Sequence, residues 1–332
     1  MTAKTKSILS TVLKIAVAAL LIGYMIASGH LDPKNLWNLM TPQNVLIALV
    51  LVGANTFLAA WRWILLLRAR GFVIPVRYGF SLYLIGIFFN HALPGAVGGD
   101  LVRGYYLVSD HPERRMDSVV SIIIDRVLGL YSFFILTLLA VAWDWRFVFS
   151  HENIRWVAMA ATFLFAGMTV FFLVVFSQRL SRRTGLEFVQ GKIEPVKKLV
   201  KALQRFGKDR KIIALSVLVS ILAQMFTLVF FFYLGRAAGE ADISWRAVLF
   251  VVPMGFLVTA VPIAPAGIGV GQVAFLYLFK AYLEKQTQFG ATAITAYQLT
   301  VVCWALLGAV LYLRRRKPYD VEQMTEMAET PA

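Results

Sequence analysis

The chain has 332 residues, of which 59% are apolar or aromatic and 15% charged, and its mean hydropathy is +0.71. An ordinary soluble domain carries about 25% charged residues and cannot hide this much apolar surface, so the composition excludes a soluble fold. The net charge of +15 sits between and beside long apolar runs rather than in a basic domain, which excludes a nucleic-acid-binding module and fits cytoplasmic loops.

A spanning helix needs about 20 predominantly apolar residues. Residues 8–27 form the first such run. Its length, Lys14 within it and the lack of a small-residue cleavage pattern argue against a cleaved signal peptide. Residues 44–67 form the second, with Trp61 and Trp63 at its end where an aromatic belt belongs. Residues 78–91 are too short to cross. They run into Ala92-Leu93-Pro94-Gly95-Ala96-Val97-Gly98-Gly99-Asp100 and a short amphipathic piece ending near Val108. Residues 117–143 and 154–176 are the third and fourth spans, the former ending on Trp143 and Trp145.

The loop 177–211 is rich in lysine and arginine. From Ile193 onward its apolar residues recur at helical spacing through Val196, Leu199, Val200, Leu203 and Phe206, with Lys197, Lys198, Lys201, Arg205 and Lys208 opposite. That pattern predicts an amphipathic helix on an anionic cytoplasmic leaflet. Residues 212–234 are the fifth span. Residues 248–259 run into Val261-Pro262-Ile263-Ala264-Pro265-Ala266-Gly267-Ile268-Gly269 and a second short helix over 272–282. Residues 291–313 are the sixth span, and an acidic tail expected to be disordered occupies 318–332.

Each interrupted stretch is a pair of half-length helices around a Pro/Gly breaker. Non-helical backbone at membrane depth survives only inside protein or beside water, so both read as re-entrant hairpins. The predicted fold is an all-α polytopic membrane protein with six full spans plus two re-entrant hairpins, both termini on one side. That side collects 22 of the 33 basic residues against 7 on the other, which makes it cytoplasmic.

A shift of 171 overlays the two halves. Pro94 falls on Pro265 and Gly98 on Gly269, residues 44–67 on 215–238, and residues 117–143 on 288–314. The span count turns the second copy upside down, giving repeat 1 at about 44–143 and repeat 2 at about 212–314 within one transmembrane domain over 1–317. Inverted repeats with broken helices meeting at the midplane are the usual frame of transporters. A fold duplicated for packing alone is the other reading.

Phe89-Asn90-His91-Ala92-Leu93-Pro94 followed by Gly98-Gly99-Asp100 and Arg103 resembles the N-x-x-L-P-x-x-x-G-G-D-x-x-R motif of the lysylphosphatidylglycerol synthase transmembrane family. Asp125-Arg126 resembles its downstream aspartate-arginine helix, and Pro265-Ala266-Gly267-Ile268-Gly269 its second Pro-x-Gly-x-Gly element. The resemblance covers nearly the whole chain. It implies a flippase-like module, with the lipid left open between aminoacylated phosphatidylglycerol and polyprenyl-phosphate-linked cargo. About 19 residues follow the sixth span, too few for a soluble synthase domain, so the expectation is a stand-alone member without aminoacyl transfer.

Four charged residues stand in apolar surroundings of repeat 1: Asp100, Arg103, Asp125 and Arg126. A lone charge there costs about 2.5–3.5 kcal/mol on insertion scales, so each should face a cavity or a partner. Asp100 and Arg103 share one helix face, and a cross-pair of Asp100 with Arg126 or Asp125 with Arg103 fits the spacing.

One reading is a phosphate clamp. Arg103 and Arg126 bind a headgroup with the backbone of Gly98 and Gly99, while the two aspartates hold the arginines in the lipid-free state. The other is a purely structural ion-pair lock. Asn90, Pro94, Pro265, Gly267 and Gly269 mark the hairpin tips. Lys14 and Arg62 read as snorkelling residues, Asn55, Gln224 and Gln298 as interhelical hydrogen-bond formers, and His91 as a hydrogen-bonded tip residue.

No enzyme motif stands out, one cysteine (Cys303) and four scattered histidines offer no metal-ligand spacing, and neither metal nor cofactor is expected. The expected function is therefore a non-enzymatic lipid flippase or transporter in the cell membrane, of bacterial inner-membrane type, for an anionic or phosphate-bearing lipid. Its expected partners are membrane lipids with anionic headgroups. The alternative is a non-transporting membrane partner of a glycosyltransferase or lipid synthase.

Overall fold

A computed structural model describes residues 20, 22–92, 98–176, 194–261 and 267–314. Most of the first predicted span lies outside these residues, as do Pro94, Pro265, the loop up to residue 193 and the acidic tail. Among the described residues every regular element is a helix, as the composition requires: an apolar solvent leaves backbone groups to pair within their own segment.

A short helix α1 (Pro33–Leu39) and the long α2 (Pro42–Ala69) both start on a proline at the first turn. Asp32 and Thr41 cap them, accepting from Lys34 N–H at 2.8 Å and Asn44 N–H at 3.3 Å. Next come α3 (Val76–Ala92) and α4 (Gly98–Asp110), then a single 3₁₀ turn and α5 (Arg115–Trp143). After α6 (Trp145–Ser150), α7 (Glu152–Phe176) and α8 (Glu194–Lys208), the second half runs α9 (Arg210–Ala237), α10 (Trp245–Thr259), α11 (Val270–Leu283) and α12 (Phe289–Leu313). Helices α2, α5, α7, α9 and α12 are long and apolar enough to cross a membrane, and they match five of the predicted spans to within a few residues at each end.

The two halves repeat element by element. Helices α2 to α5 have 28, 17, 13 and 29 residues, and α9 to α12 have 28, 15, 14 and 25. The first helices of the halves run antiparallel. Tyr233 O–H donates to Asn44 Oδ1 at 2.7 Å near one end, Asn55 Nδ2 donates to Ala223 O and Thr227 Oγ1 in the middle, and Arg62 reaches Ser220 near the other. A repeat copied without inversion would set these helices parallel, so their antiparallel contacts are the arrangement an inverted repeat requires.

Each broken stretch is an antiparallel helix pair. In the first, Tyr78 near the start of α3 hydrogen-bonds Asp110 at the end of α4, while Gly86 and Gly99 touch backbone to backbone near the tip. In the second, Phe250 meets Tyr282 at a 5.5 Å ring separation and Gly255 accepts the face of Phe275. In each pair a glycine of the outgoing helix, Gly86 or Gly255, lets the return helix close in. At 1.5 Å per residue the four helices are about 20–25 Å long, short of a hydrocarbon core of about 30 Å.

One expectation is corrected. The apolar face of α8 does not lie on a lipid surface. Ala202 and Phe206 are buried against Leu66, Val120, Ile124 and Leu128 of α2 and α5, and Gly207 sits against Phe176 at the end of α7. Protein apolar surface competes for that face as well as lipid does, and a close-packed partner adds dispersion contacts. Lys201, Arg205 and Lys208 stay exposed on its other side.

Candidate functional site

The charged residues of repeat 1 converge. Asp125 lies ten residues beyond Arg115 in α5, and Ser220 ten residues beyond Arg210 in α9, which places both about 15 Å from the helix ends. At this level Asp125 Oδ1 accepts from Arg62 Nε of α2 at 2.8 Å, and its Oδ2 lies 3.3 Å from Arg103 Nη2 of α4. Arg103 Nη2 is also 3.4 Å from Asp100 Oδ1, and Asp100 Oδ2 pairs with Arg126 Nε. Both cross-pairs anticipated from spacing therefore form together, in one chain of alternating charge: Arg62, Asp125, Arg103, Asp100, Arg126.

Arg62 is the member that sequence reasoning misplaced. It does not snorkel. It is 5% exposed, and its Nη1 donates to Ser220 Oγ at 2.8 Å across the boundary between the repeats. An arginine two turns from a helix end ordinarily reaches for the interface. Here a carboxylate at the same depth holds it inward, because leaving Asp125 half-paired in a dry interior costs more than desolvating the guanidinium. The available signal was the carboxylate itself: Asp125 has two oxygens to satisfy, and Arg103 occupies only one.

The arginines differ in freedom. Arg103 is 3% exposed, stacks 4.4 Å above the Trp63 ring and 5.0 Å from that of Tyr83, and is held by two carboxylates. Trp63 is fixed in turn by donating Nε1–H to Ser121 Oγ at 3.2 Å. The Arg126 side chain is 40% exposed and stands at the edge of a cavity of about 440 Å³. Repeat 1 contributes Tyr83, Asn90, His91 and the charged residues to its wall, and repeat 2 contributes Thr259, Gly267, Tyr297 and Gln298. The cavity thus lies on the seam between inverted halves, with three guanidiniums and two carboxylates along one side among the described residues.

Gly98 and Gly99, at the start of α4, are both buried. Gly99 donates its N–H to Asn90 Oδ1 at 2.9 Å, and a Cβ there would overlap Gly86 O. Gly99 thus serves the α3–α4 contact, and Asn90 caps α4 from within the hairpin. His91 Nδ1 bonds Ile87 O at 2.9 Å, as a tip residue should.

Repeat 2 supplies amides where repeat 1 has charges. Gly269 N–H donates to Gln272 Oε1 at 2.7 Å, and Gln272 Nε2 donates to Thr295 Oγ1 at 3.1 Å and Gln298 Oε1 at 2.8 Å. Gly267 and Gly269 take φ of +69° and +83°, a region that suits glycine. Gln298 therefore joins the second hairpin to the cavity wall. At the 171-residue offset, Arg62, Asp125 and Arg126 correspond to Tyr233, Ala296 and Tyr297. Among the described residues no three His, Cys, Asp or Glu side chains come together as a metal-holding group.

The profile of a family described as the lysylphosphatidylglycerol synthase TM region matches residues 11–308. A UPF0104 membrane protein of Methanothermobacter thermautotrophicus is 22% identical over 274 residues, 76% of this chain and 80% of that protein. Two UPF0104 membrane proteins of Methanocaldococcus jannaschii are also similar. One is 23% identical over 68% of this chain and 93% of its own length, the other 20% identical over 84% and 87%.

Proposed function

The chain belongs to the lysylphosphatidylglycerol synthase TM-region family of multi-pass membrane proteins, and from that premise we propose that it is a lipid flippase or transporter for an anionic or phosphate-bearing lipid. The observation that carries this reading is the seam cavity: its charged wall holds more guanidinium than carboxylate and lies between the two repeats, about 15 Å from the helix ends. Arginine presents a planar fork of donors that matches phosphate and keeps its proton, so it holds an anion where water is scarce.

The roles divide by burial. Arg62 and Arg103 are held by Asp125, tying α2, α4 and α5 together. Arg126, at the cavity edge, is the residue that meets the headgroup, exchanging Asp100 for lipid phosphate. The two hairpins, re-entrant from opposite faces, would carry alternating access to the seam. No catalytic step is assigned, and the protein acts by binding and moving its lipid. Aminoacylated phosphatidylglycerol and polyprenyl-phosphate-linked lipids both carry the phosphate that this wall recognises.

The test is movement of a fluorescent phosphatidylglycerol across vesicles containing the purified protein, read by loss of the protected inner-leaflet signal when an impermeant chemical quencher is added outside. Wild-type protein should move the labelled lipid and Arg126→Ala should move it about 10- to 100-fold more slowly. Movement by Arg126→Ala at the wild-type rate would remove the phosphate-binding role.

A further inference from the structure

On the opposite flank of α5 from the charged seam lies a second cavity, of about 780 Å³, bounded by α5, α7, α8 and α9. Its volume falls within the range of about 300–1,000 Å³ usual for small-molecule sites. Its walls are hydrocarbon, chiefly Val127, Leu128, Phe172, Leu173, Ile213 and Val217. Tyr131 Oη lies 3.2 Å from Thr169 Oγ1, so that pair in the wall is internally satisfied, and Gln204 adds one amide near the α8 end.

At one end the character changes. Lys208 closes α8, Arg210 opens α9, and both line the cavity mouth while remaining exposed. The acid between them, Asp209, turns its Oδ1 to the Ile212 N–H as the cap of α9, leaving the cations to dominate the rim. Gly207 packed on Phe176 holds this basic turn against the end of α7. From Arg210 to Val217 the groove runs about 10 Å along α9, the depth of much of one leaflet. Leu173 and Ala214 are exposed beside it, so it opens sideways toward lipid.

We infer that this groove holds one acyl chain of an anionic phospholipid, whose phosphate is bound at the rim by Lys208 and Arg210. The site is separate from the seam cavity and does not depend on transport. Apolar walls accept the tail without specificity, and the two cations select the headgroup charge.

The full-length protein, taken from mixed vesicles of phosphatidylcholine and phosphatidylglycerol into mild detergent, is examined by native mass spectrometry for retained lipid. Wild type should retain phosphatidylglycerol in preference to phosphatidylcholine. Lys208→Gln/Arg210→Gln should weaken retention of phosphatidylglycerol roughly 25-fold, about fivefold per basic residue, and leave phosphatidylcholine unchanged. Ala214→Trp, which fills the groove, should lower retention of both, and the milder Ala214→Leu serves if tryptophan prevents folding. Equal retention of the two lipids by wild type, unchanged phosphatidylglycerol on the charge variant, or unchanged lipid on the folded groove-filling variant would each overturn the assignment.

Discussion

Arg62 and Asp125 stand 63 residues apart in sequence and 2.8 Å apart in space, and their bond joins the first helix of repeat 1 to its last. Asp125 is 2% exposed. Removing it leaves the buried Arg62 guanidinium with no carboxylate and Arg103 with Asp100 alone, so Asp125→Ala is expected to destabilise the protein by about 3–5 kcal/mol. Thermal unfolding in detergent measures this. The double variant Arg62→Leu/Asp125→Leu should recover most of the loss, because Arg103 keeps Asp100 at 3.4 Å. An Asp125→Ala protein that melts with wild type would show the network to be slack.

Arg126 and Arg103 are expected to separate binding from stability. Arg126→Ala removes a part-exposed side chain, so the melting temperature should hardly change while labelled-lipid movement falls by about 10- to 100-fold, the worth of a charge-assisted hydrogen bond. Arg103→Ala leaves both aspartates short of a partner and empties the space over Trp63, so unfolding should come first. Paired transport and melting measurements on the two variants read the difference. Equal losses of stability would contradict it.

The α3–α4 hairpin depends on the Gly86–Gly99 approach. A methyl at Gly99 overlaps Gly86 O, backbone that cannot swing aside, so Gly99→Ala should cost about 1–3 kcal/mol. Gly167, in α7 with nothing within 4 Å of a built Cβ, is the contrast. There Gly167→Ala should stabilise by about 0.4–1 kcal/mol through the unfolded chain. Melting curves of the two alanine variants should move in opposite directions.

Gln272 is the polar anchor of the second hairpin. Gln272→Leu leaves Gly269 N–H without its cap and frees Gln298 from α11, for an expected loss of about 1–3 kcal/mol. Gln272→Glu keeps the acceptor for Gly269 but buries a carboxylate with no cation beside it and sets it against Gln298 Oε1, so it should lose at least as much as leucine. Hydrogen exchange over residues 267–283 reads the loss locally.

Lys285, in the turn between α11 and α12, donates to Asp242 at 2.6 Å and pairs with Glu240 at 2.7 Å, and these acids raise its pKa above the ordinary lysine value of 10.5. A raised cation pKa stabilises fully below the unfolded value and is lost as pH rises through the folded one. Lys285→Met should therefore lower stability at neutral pH, and the gap to wild type should close above pH 10.5. Denaturant unfolding at neutral and alkaline pH checks the sign.

Much of the architecture was legible in the residues. The five described spans, both interrupted stretches and the 171-residue offset follow from apolar run length and from Pro/Gly punctuation, which act locally. Asp100, Arg103, Asp125 and Arg126 stood out because charge in an apolar run is costly wherever the run ends up. Arg62 did not stand out. It resembled an interfacial arginine, and it acquires its role from a carboxylate brought to it by folding. Helix α8 was read correctly as amphipathic but given the wrong neighbour, since a hydrophobic face does not encode whether lipid or protein will cover it.

The sequence by itself determined that this chain lives in a membrane, where its described apolar helices run and break, and which buried charges must find partners. Those are consequences of transfer free energy and backbone satisfaction, summed along the chain residue by residue. Only the tertiary structure decided that Arg62 completes the ion-pair chain and that Gly99 meets the backbone of Gly86 within the first hairpin. It alone decided, too, that one face of α5 borders a charged seam and the other a greasy groove. Such relations depend on where distant segments meet, and local propensity carries no information about that distance.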